Sequence, residues 1–147
     1  MNDTGLHERQ DKRADFDQPT HGVPLTANRS GNLITISGPG NFSVGAGQAA
    51  THCQFTLTDN SGANVKFASL DTADNITGCP PVGSGNQSGE IVGITMNNNG
   101  PSKMGQFTDN NNVPGTVSYQ WEFTCDSPFT VTPFDPIISN GGKSNSA

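Results

Sequence analysis

The segment Thr116–Cys125, TVSYQWEFTC, alternates apolar and polar residues over its whole length. Its odd-numbered positions are apolar: Val117, Tyr119, Trp121, Phe123 and Cys125. Successive side chains of an extended strand point to opposite faces of a sheet. The segment is therefore predicted to be a strand with one face in a core and the other in water.

The composition of the rest of the chain also favours strands. Gly, Asn, Thr and Ser make up 62 of the 147 residues, whereas there are only five Leu, three Glu and four Lys. The first group forms turns and solvated strand faces, and the second normally fills helices. A chain of this length forms one domain with a sizeable core. The sequence thus predicts a single all-β domain.

Candidate strands recur at short spacing, with turn residues between them. They lie at 32–37, 52–58, 64–70, 90–96, 104–108, 116–125, 129–133 and 135–138. About seven or eight strands over residues 31–139 predict a two-sheet β-sandwich or jelly roll, with a barrel or prism as the alternative. The Asp59–Gly62 turn predicts a hairpin of the strands at 52–58 and 64–70.

The N-terminal region lacks the pattern of a sandwich strand. Residues 1–17 hold eight of the twenty charged residues of the chain, and residues 18–30 contain two prolines without periodicity. We expect residues 1–30 to form an irregular arm, with a short helix at 5–15 followed by extended chain; a frayed terminus is the alternative. Phe16, Val23 and Leu25 are the predicted partner-binding anchors of this arm on a neighbouring subunit. Residues 140–147 are expected to be a flexible tail.

Charge and hydropathy exclude several classes of protein. The net charge of −6 and the lack of a Lys/Arg cluster in residues 18–147 weigh against nucleic-acid binding. No apolar stretch approaches the roughly 20 residues of a membrane span. The first twenty residues have no apolar signal-peptide segment. We therefore expect a protein made and kept in a cytoplasm, with loss of a leader as the alternative.

No motif in the sequence predicts catalysis. The histidines are His7, His21 and His52, and none belongs to a recognisable constellation of nucleophile and base. Neither Cys nor His spacing supplies four metal ligands. The prediction is a non-enzyme without a cofactor or a metal.

Three other ligand and bonding possibilities remain as alternatives. Asp and Asn cluster in loops at 59–61, 71–75 and 109–112, where they either form turns or supply oxygen ligands to Ca²⁺. Tyr119 and Trp121 are expected in the core unless their face is a sugar-binding groove. Cys53 and Cys125 fall on apolar strand positions, so we expect buried thiols, with a disulfide between them as the alternative.

Charge is sparse in the body of the chain, with eight acidic and four basic residues in residues 18–147. A free monomer usually displays more charge, and a surface covered by neighbours has less need of it. In architecture and composition the chain is similar to capsid-decoration and other accessory structural proteins of bacterial viruses. That similarity implies a virion protein made in the host cytoplasm, which binds copies of itself, as a trimer, and a larger lattice such as a capsid. The alternative is an extracellular binding module: an adhesin, a pilus subunit or a carbohydrate-binding domain.

Overall fold

The computed structural model describes residues 19–74, 81 and 85–143. These residues form ten strands. They are β1 (Thr20–Ser30), β2 (Leu33–Ser37), β3 (Phe42–Val44), β4 (Thr51–Asp59), β5 (Lys66–Asp74), β6 (Ile91–Asn97), β7 (Lys103–Asp109), β8 (Pro114–Thr124), β9 (Thr130–Val131) and β10 (Ile137–Gly141).

The strands form two sheets that enclose one core, which confirms the predicted all-β sandwich. The six-stranded sheet has the order β6-β7-β4-β1-β2-β9, and the four-stranded sheet has the order β3-β10-β8-β5. Most neighbouring strands are antiparallel, but β1 pairs with β4, β2 with β9 and β10 with β3 in parallel. Within residues 19–74, 81 and 85–143, no helix has the length and apolar character needed to cross a membrane.

The alternating segment is strand β8, and its apolar side chains fill the centre of the core. Tyr119 and Trp121 are fully buried. The Trp121 ring lies 5.6 Å from the Phe55 ring and 5.0 Å from the Phe67 ring, both in edge-to-face geometry. Such aromatic pairs add about 0.5–1.5 kcal/mol each beyond the apolar area that they bury. Tyr119 and Trp121 are therefore core residues.

Gly105 of β7 makes room for this aromatic cluster. A Cβ atom at position 105 would lie 2.8 Å from Cη2 of Trp121 and 2.9 Å from Cδ1 of Phe67. Real Cβ atoms do not approach other atoms so closely, so any side chain here would displace the rings. The backbone of β7 and the tip of the Trp121 ring are thus in direct contact across the core.

The predicted hairpin of the strands at 52–58 and 64–70 is wrong. Strand β4 pairs with β1 and β7 in one sheet, while β5 pairs with β8 in the other. The connecting loop carries the chain across the sandwich, so that Phe55 and Phe67 both point into the core. Alternation of apolar residues is the same in a hairpin and in two strands that face each other across a core, so the sequence pattern could not separate them.

The predicted arm is wrong for residues 20–30. These residues form β1, an interior strand of the six-stranded sheet, which pairs with β4 along residues 20–27 and with β2 along residues 26–30. Its inward positions are occupied by Val23, Leu25 and the small Ala27. The proposed helix at 5–15 and Phe16 lie outside the described residues.

Pro24 interrupts the strand pattern of residues 20–30 in the sequence. Proline has no backbone N–H and is confined to strand edges or to positions where no partner needs that group. The pairing of β1 with β2 begins only at Thr26, so Pro24 has β4 as its strand neighbour on one side alone. The missing N–H therefore costs the sheet no ladder hydrogen bond there.

The predicted C-terminal boundary also needs correction. Strand β10 continues to Gly141, and Asn140 is buried. The sandwich thus includes at least residues 140 and 141 of the predicted tail. Residues 144–147 lie outside the described part of the chain.

The core prediction is tested by replacing Trp121. Trp121→Ala would leave a large cavity among Phe55, Phe67 and Gly105, and we expect it to lower the free energy of unfolding by about 3–5 kcal/mol. Chemical denaturation followed by circular dichroism measures this change. Thr124→Ala, at an exposed position of the same strand, is the control and should change stability by less than about 0.5 kcal/mol.

Truncation tests the assignment of β1. Removing residues 1–18 leaves every described strand in place, and we expect that protein to fold. Removing residues 1–28 deletes most of an interior strand together with Val23 and Leu25, and we expect that protein not to fold. If the protein without residues 1–28 unfolds cooperatively on heating, with a melting temperature near that of the full chain, the placement of β1 is contradicted.

Candidate functional site: an uncharged sheet face

The structure buries two of the three predicted partner-binding residues in the protein's own core. Val23 is 1% exposed and Leu25 is 0% exposed, and both belong to the central apolar cluster. A side chain that is already covered within its own domain cannot fill a pocket of a neighbour. The assignment of Val23 and Leu25 to a partner interface is therefore wrong. Phe16, the third residue, lies outside the described residues.

A different candidate surface is the outer face of the six-stranded sheet. The strand registers place its outward side chains in rows that run across β6, β7, β4 and β1 and extend onto β2. We call these residues the neutral face: Thr20, Gly22, Pro24, Thr26, Asn28, Leu33, Thr35, Ser37, His52, Gln54, Thr56, Thr58, Val92, Thr95, Asn97, Met104, Gln106 and Thr108. None of them is Asp, Glu, Lys or Arg.

Side-chain amides and hydroxyls dominate this face. At its centre Gln106 Oε1 lies 2.7 Å from His52 Nε2, and it accepts a longer hydrogen bond of 3.5 Å from Gln54 Nε2. These three residues belong to the adjacent strands β4 and β7. They form a polar patch whose remaining donors and acceptors are available to another molecule.

The four-stranded sheet lacks this property on its outer face. Lys66 of β5 is exposed there, and Glu122 of β8 is partly exposed at a nearby position of the same face. The two outer faces of one sandwich thus differ in charge, although both are rich in Thr, Ser and Gln. Sparse charge in the chain as a whole does not explain that difference.

The neutral face ends at the edge strand β6. Val92 and Met96 on this strand are 44% and 39% exposed, and β6 contains no charged residue. By contrast, the edge of β5 is occupied: the Asn98 side chain accepts from the Phe67 backbone N–H and donates to the Phe67 carbonyl, both at 2.9 Å. Proteins usually protect free sheet edges with charge, proline or a bulge. Strand β6 uses only the last of these, an irregularity between Val92 and Thr95.

The turn that begins at Asp59, at the end of β4, is stabilised by the side chain of Asp59. Asp59 accepts hydrogen bonds from the backbone N–H of Ser61 and of Val65, at 2.9 and 2.8 Å. Burial alone would raise its pKa, but the hydrogen bonds from Ser61 and Val65 outweigh that effect and hold the pKa of Asp59 below its ordinary value. These contacts are those of a turn, in which the Asp59 side chain bonds to the backbone of its own loop.

Carboxylates gather instead at one end of the sandwich. Asp74 and Glu90 line a cavity of about 30 Å³ together with Asn140. Glu90 accepts from the backbone N–H of Asn112 at 2.8 Å and of Val113 at 3.2 Å. Within the described ranges, no three His, Cys, Asp or Glu side chains are arranged to hold a metal ion.

Sequence reasoning missed the neutral face as a site, although part of its signal was visible. The even positions of β4 and β7, such as Gln54 and Gln106, are polar and uncharged in the sequence itself. What the sequence does not contain is the information that β1, β4, β7 and β6 are neighbours. Without the strand order, four short polar series cannot be combined into one surface.

Comparison with known proteins adds no assignment. No protein-family model matches the chain, and no curated protein matches its sequence.

The thiols give a direct test of the core and of the redox state. Cys53 is fully buried and free, and burial raises its pKa far above the ordinary value. In a Cys79→Ser variant, we expect Cys53 to resist a water-soluble disulfide reagent in the native protein. Cys53 and Cys125 should both react after denaturation without reductant. Recovery of no thiol under denaturing conditions would instead show that Cys53 and Cys125 are paired.

Proposed function

We propose that this chain is a non-enzymatic structural protein that assembles with copies of itself and with a larger protein lattice, through the neutral face. The observation that carries the proposal is the outward side of the six-stranded sheet, where eighteen positions contain no formally charged residue. Solvent-facing surfaces of free domains typically contain about 25–35% Asp, Glu, Lys and Arg. A surface that is covered in its working state has no such requirement.

The chemistry of the neutral face suits docking because its contact desolvates no charge. Interface cores are depleted in charged residues and use hydrogen bonds at about one per 100–200 Å². Gln54, Gln106 and Asn97 offer amide donors and acceptors, and Val92 and Met104 add apolar contact. Burying an unpaired charge would cost far more than rearranging these neutral groups.

The size of the face fits an interface of moderate area. Strand spacing of about 4.8 Å and a rise of about 3.3 Å per residue give a patch roughly 20–25 Å in each direction, on the order of 500 Å². A standard stable interface buries about 800 Å² on each partner. The neutral face therefore accounts for more than half of such an interface, and flanking residues would supply the remainder.

The arm that the sequence suggested no longer supports this proposal for residues 20–30, which are a strand of the same sheet. The proposal now depends on the sheet face. The capsid-decoration role and the virion location remain the specific form of it that the composition favours. A sugar-binding module would need aromatic residues other than Tyr119 and Trp121, because both are buried.

A single charge at the centre of the face tests the proposal. In Gln54→Lys, a lysine of similar length replaces the residue beside Gln106, and docking would bury its charge. We expect self-association, measured by sedimentation velocity over a concentration series, to weaken at least about tenfold. The melting temperature should change little because position 54 points outward.

Ser139→Lys is the matched control, since residue 139 is exposed on the other sheet. This variant should self-associate like the wild type. If both variants associate as the wild type does, the neutral face is not the contact surface. If the wild-type protein remains monomeric throughout the series, assembly of the chain with itself is wrong.

A further inference from the structure

Asp109 and Asn140 join the two sheets at the end of the sandwich where the carboxylates gather. Asp109 is the last residue of β7 in the six-stranded sheet, and Asn140 lies on β10 in the four-stranded sheet. Asn140 Nδ2 donates to Asp109 Oδ1 at 2.8 Å. The backbone N–H of Asn111 donates to the same oxygen at 3.1 Å. Asp109 Oδ1 therefore accepts two hydrogen bonds, and the one from Asn140 connects the two sheets directly.

The other oxygen of each side chain has no partner. Asp109 Oδ2 and Asn140 Oδ1 are buried and accept no hydrogen bond from the described residues. Asp109 is 0% exposed and Asn140 is 6% exposed. Buried polar atoms in native proteins are almost always hydrogen-bonded. Both orphaned atoms are acceptors, so the pair lacks a donor.

The surroundings of Asp109 are acidic on each side. Glu90 precedes β6, Asp74 ends β5, and both raise the pKa of Asp109 in addition to the larger effect of burial. Cys53 on β4 is the third ionisable group close to it, and its thiol is itself held neutral by burial. On the β10 side, Lys143 is the nearest basic residue along the chain, and it is exposed. An ionised Asp109 would therefore add a buried negative charge beside two carboxylates.

We propose that Asp109 carries a proton on Oδ2 in the folded protein and donates it to Asn140 Oδ1, which closes a proton-dependent latch between the two sheets. With that proton, the pair has two antiparallel hydrogen bonds: Asn140 Nδ2–H to Asp109 Oδ1, and Asp109 Oδ2–H to Asn140 Oδ1. One proton satisfies both orphaned oxygens and removes the buried charge. This inference is independent of the proposed function.

The latch makes stability depend on pH with a definite sign. Burial, opposed in part by hydrogen bonds from Asn140 and Asn111, raises the pKa of Asp109 above the value of about 3.9 that it has when unfolded. Between these two values the folded state binds more protons than the unfolded state. The stabilisation that the latch contributes is therefore fully present below about pH 4 and is lost as pH rises through the folded pKa of Asp109.

Asp109→Asn is the decisive variant because its amide imitates the protonated acid. Its Nδ2 can donate to Asn140 Oδ1, while its Oδ1 still accepts from Asn140 and Asn111. We expect a higher melting temperature than that of the wild type at pH 8 and a smaller change in melting temperature between pH 4 and pH 8. Asp135→Asn, at an exposed position, is the control and should retain the wild-type pH dependence.

Infrared spectroscopy provides a second measurement that does not depend on stability. The carbonyl band of a protonated carboxylic acid should persist in the wild type to higher pH than in Asp109→Asn. Loss of stability of Asp109→Asn at every pH, or an unchanged pH dependence, would overturn the proposal. If, after such a result, Ca²⁺ raised the melting temperature of the wild type but not of Asp109→Asn, a cation and not a proton would lie between Asp109 Oδ2 and Asn140 Oδ1. Without a Ca²⁺ effect, bound water would be the missing donor.

Discussion

The contact of Trp121 with the backbone of Gly105 sets the separation of the two sheets, and the rest of the core is arranged around it. The indole ring extends from β8 across the core until its Cη2 atom reaches β7. Phe55, Phe67 and Phe107 surround the ring from both sheets. Its Nε1–H has no hydrogen-bond partner among the described residues, so packing alone positions it. Shape complementarity at this point therefore determines how the sheets align.

The fold class and most strands could be predicted from the sequence, because the alternation of apolar and polar residues is a local property of each strand. The series Cys53, Phe55, Leu57 and the series of β8 are buried as the pattern predicts. Strand pairing was not predictable in the same way, and β4 and β5 proved to lie in different sheets. Strand β1 was missed because Pro24 and Ala27 weaken its pattern, although Val23 and Leu25 are as buried as any core residue.

The candidate surface and the polar latch depend on neighbours that are far apart in the chain. His52 and Gln106 meet through strand pairing across 54 positions, and Asp109 meets Asn140 across 31 positions. Local sequence carries no signal for such pairs, since Asn and Asp are also the usual residues of turns. Asn140 lies in the segment 140–147 that the sequence predicts as a flexible tail. The neutral face is on the outside of the sheet, whereas Asp109 and Asn140 are buried. Substitutions can therefore change docking through the face and proton binding by Asp109 separately.

The parallel pairing of β1 with β4 and of β10 with β3 joins segments that are far apart in the chain. Of the described strands, β1 is made first, but one of its two neighbours, β4, begins about thirty residues later, so their pairing must wait for that segment. Of the described strands, β10 is made after the others, and it lies between β3 and β8 in the four-stranded sheet. Non-local pairing of this kind slows folding, because long loops must close before their contacts form. Val23 and Leu25 can be covered fully only after their partner strands have been made, and transiently exposed apolar surface of this kind is prone to aggregation.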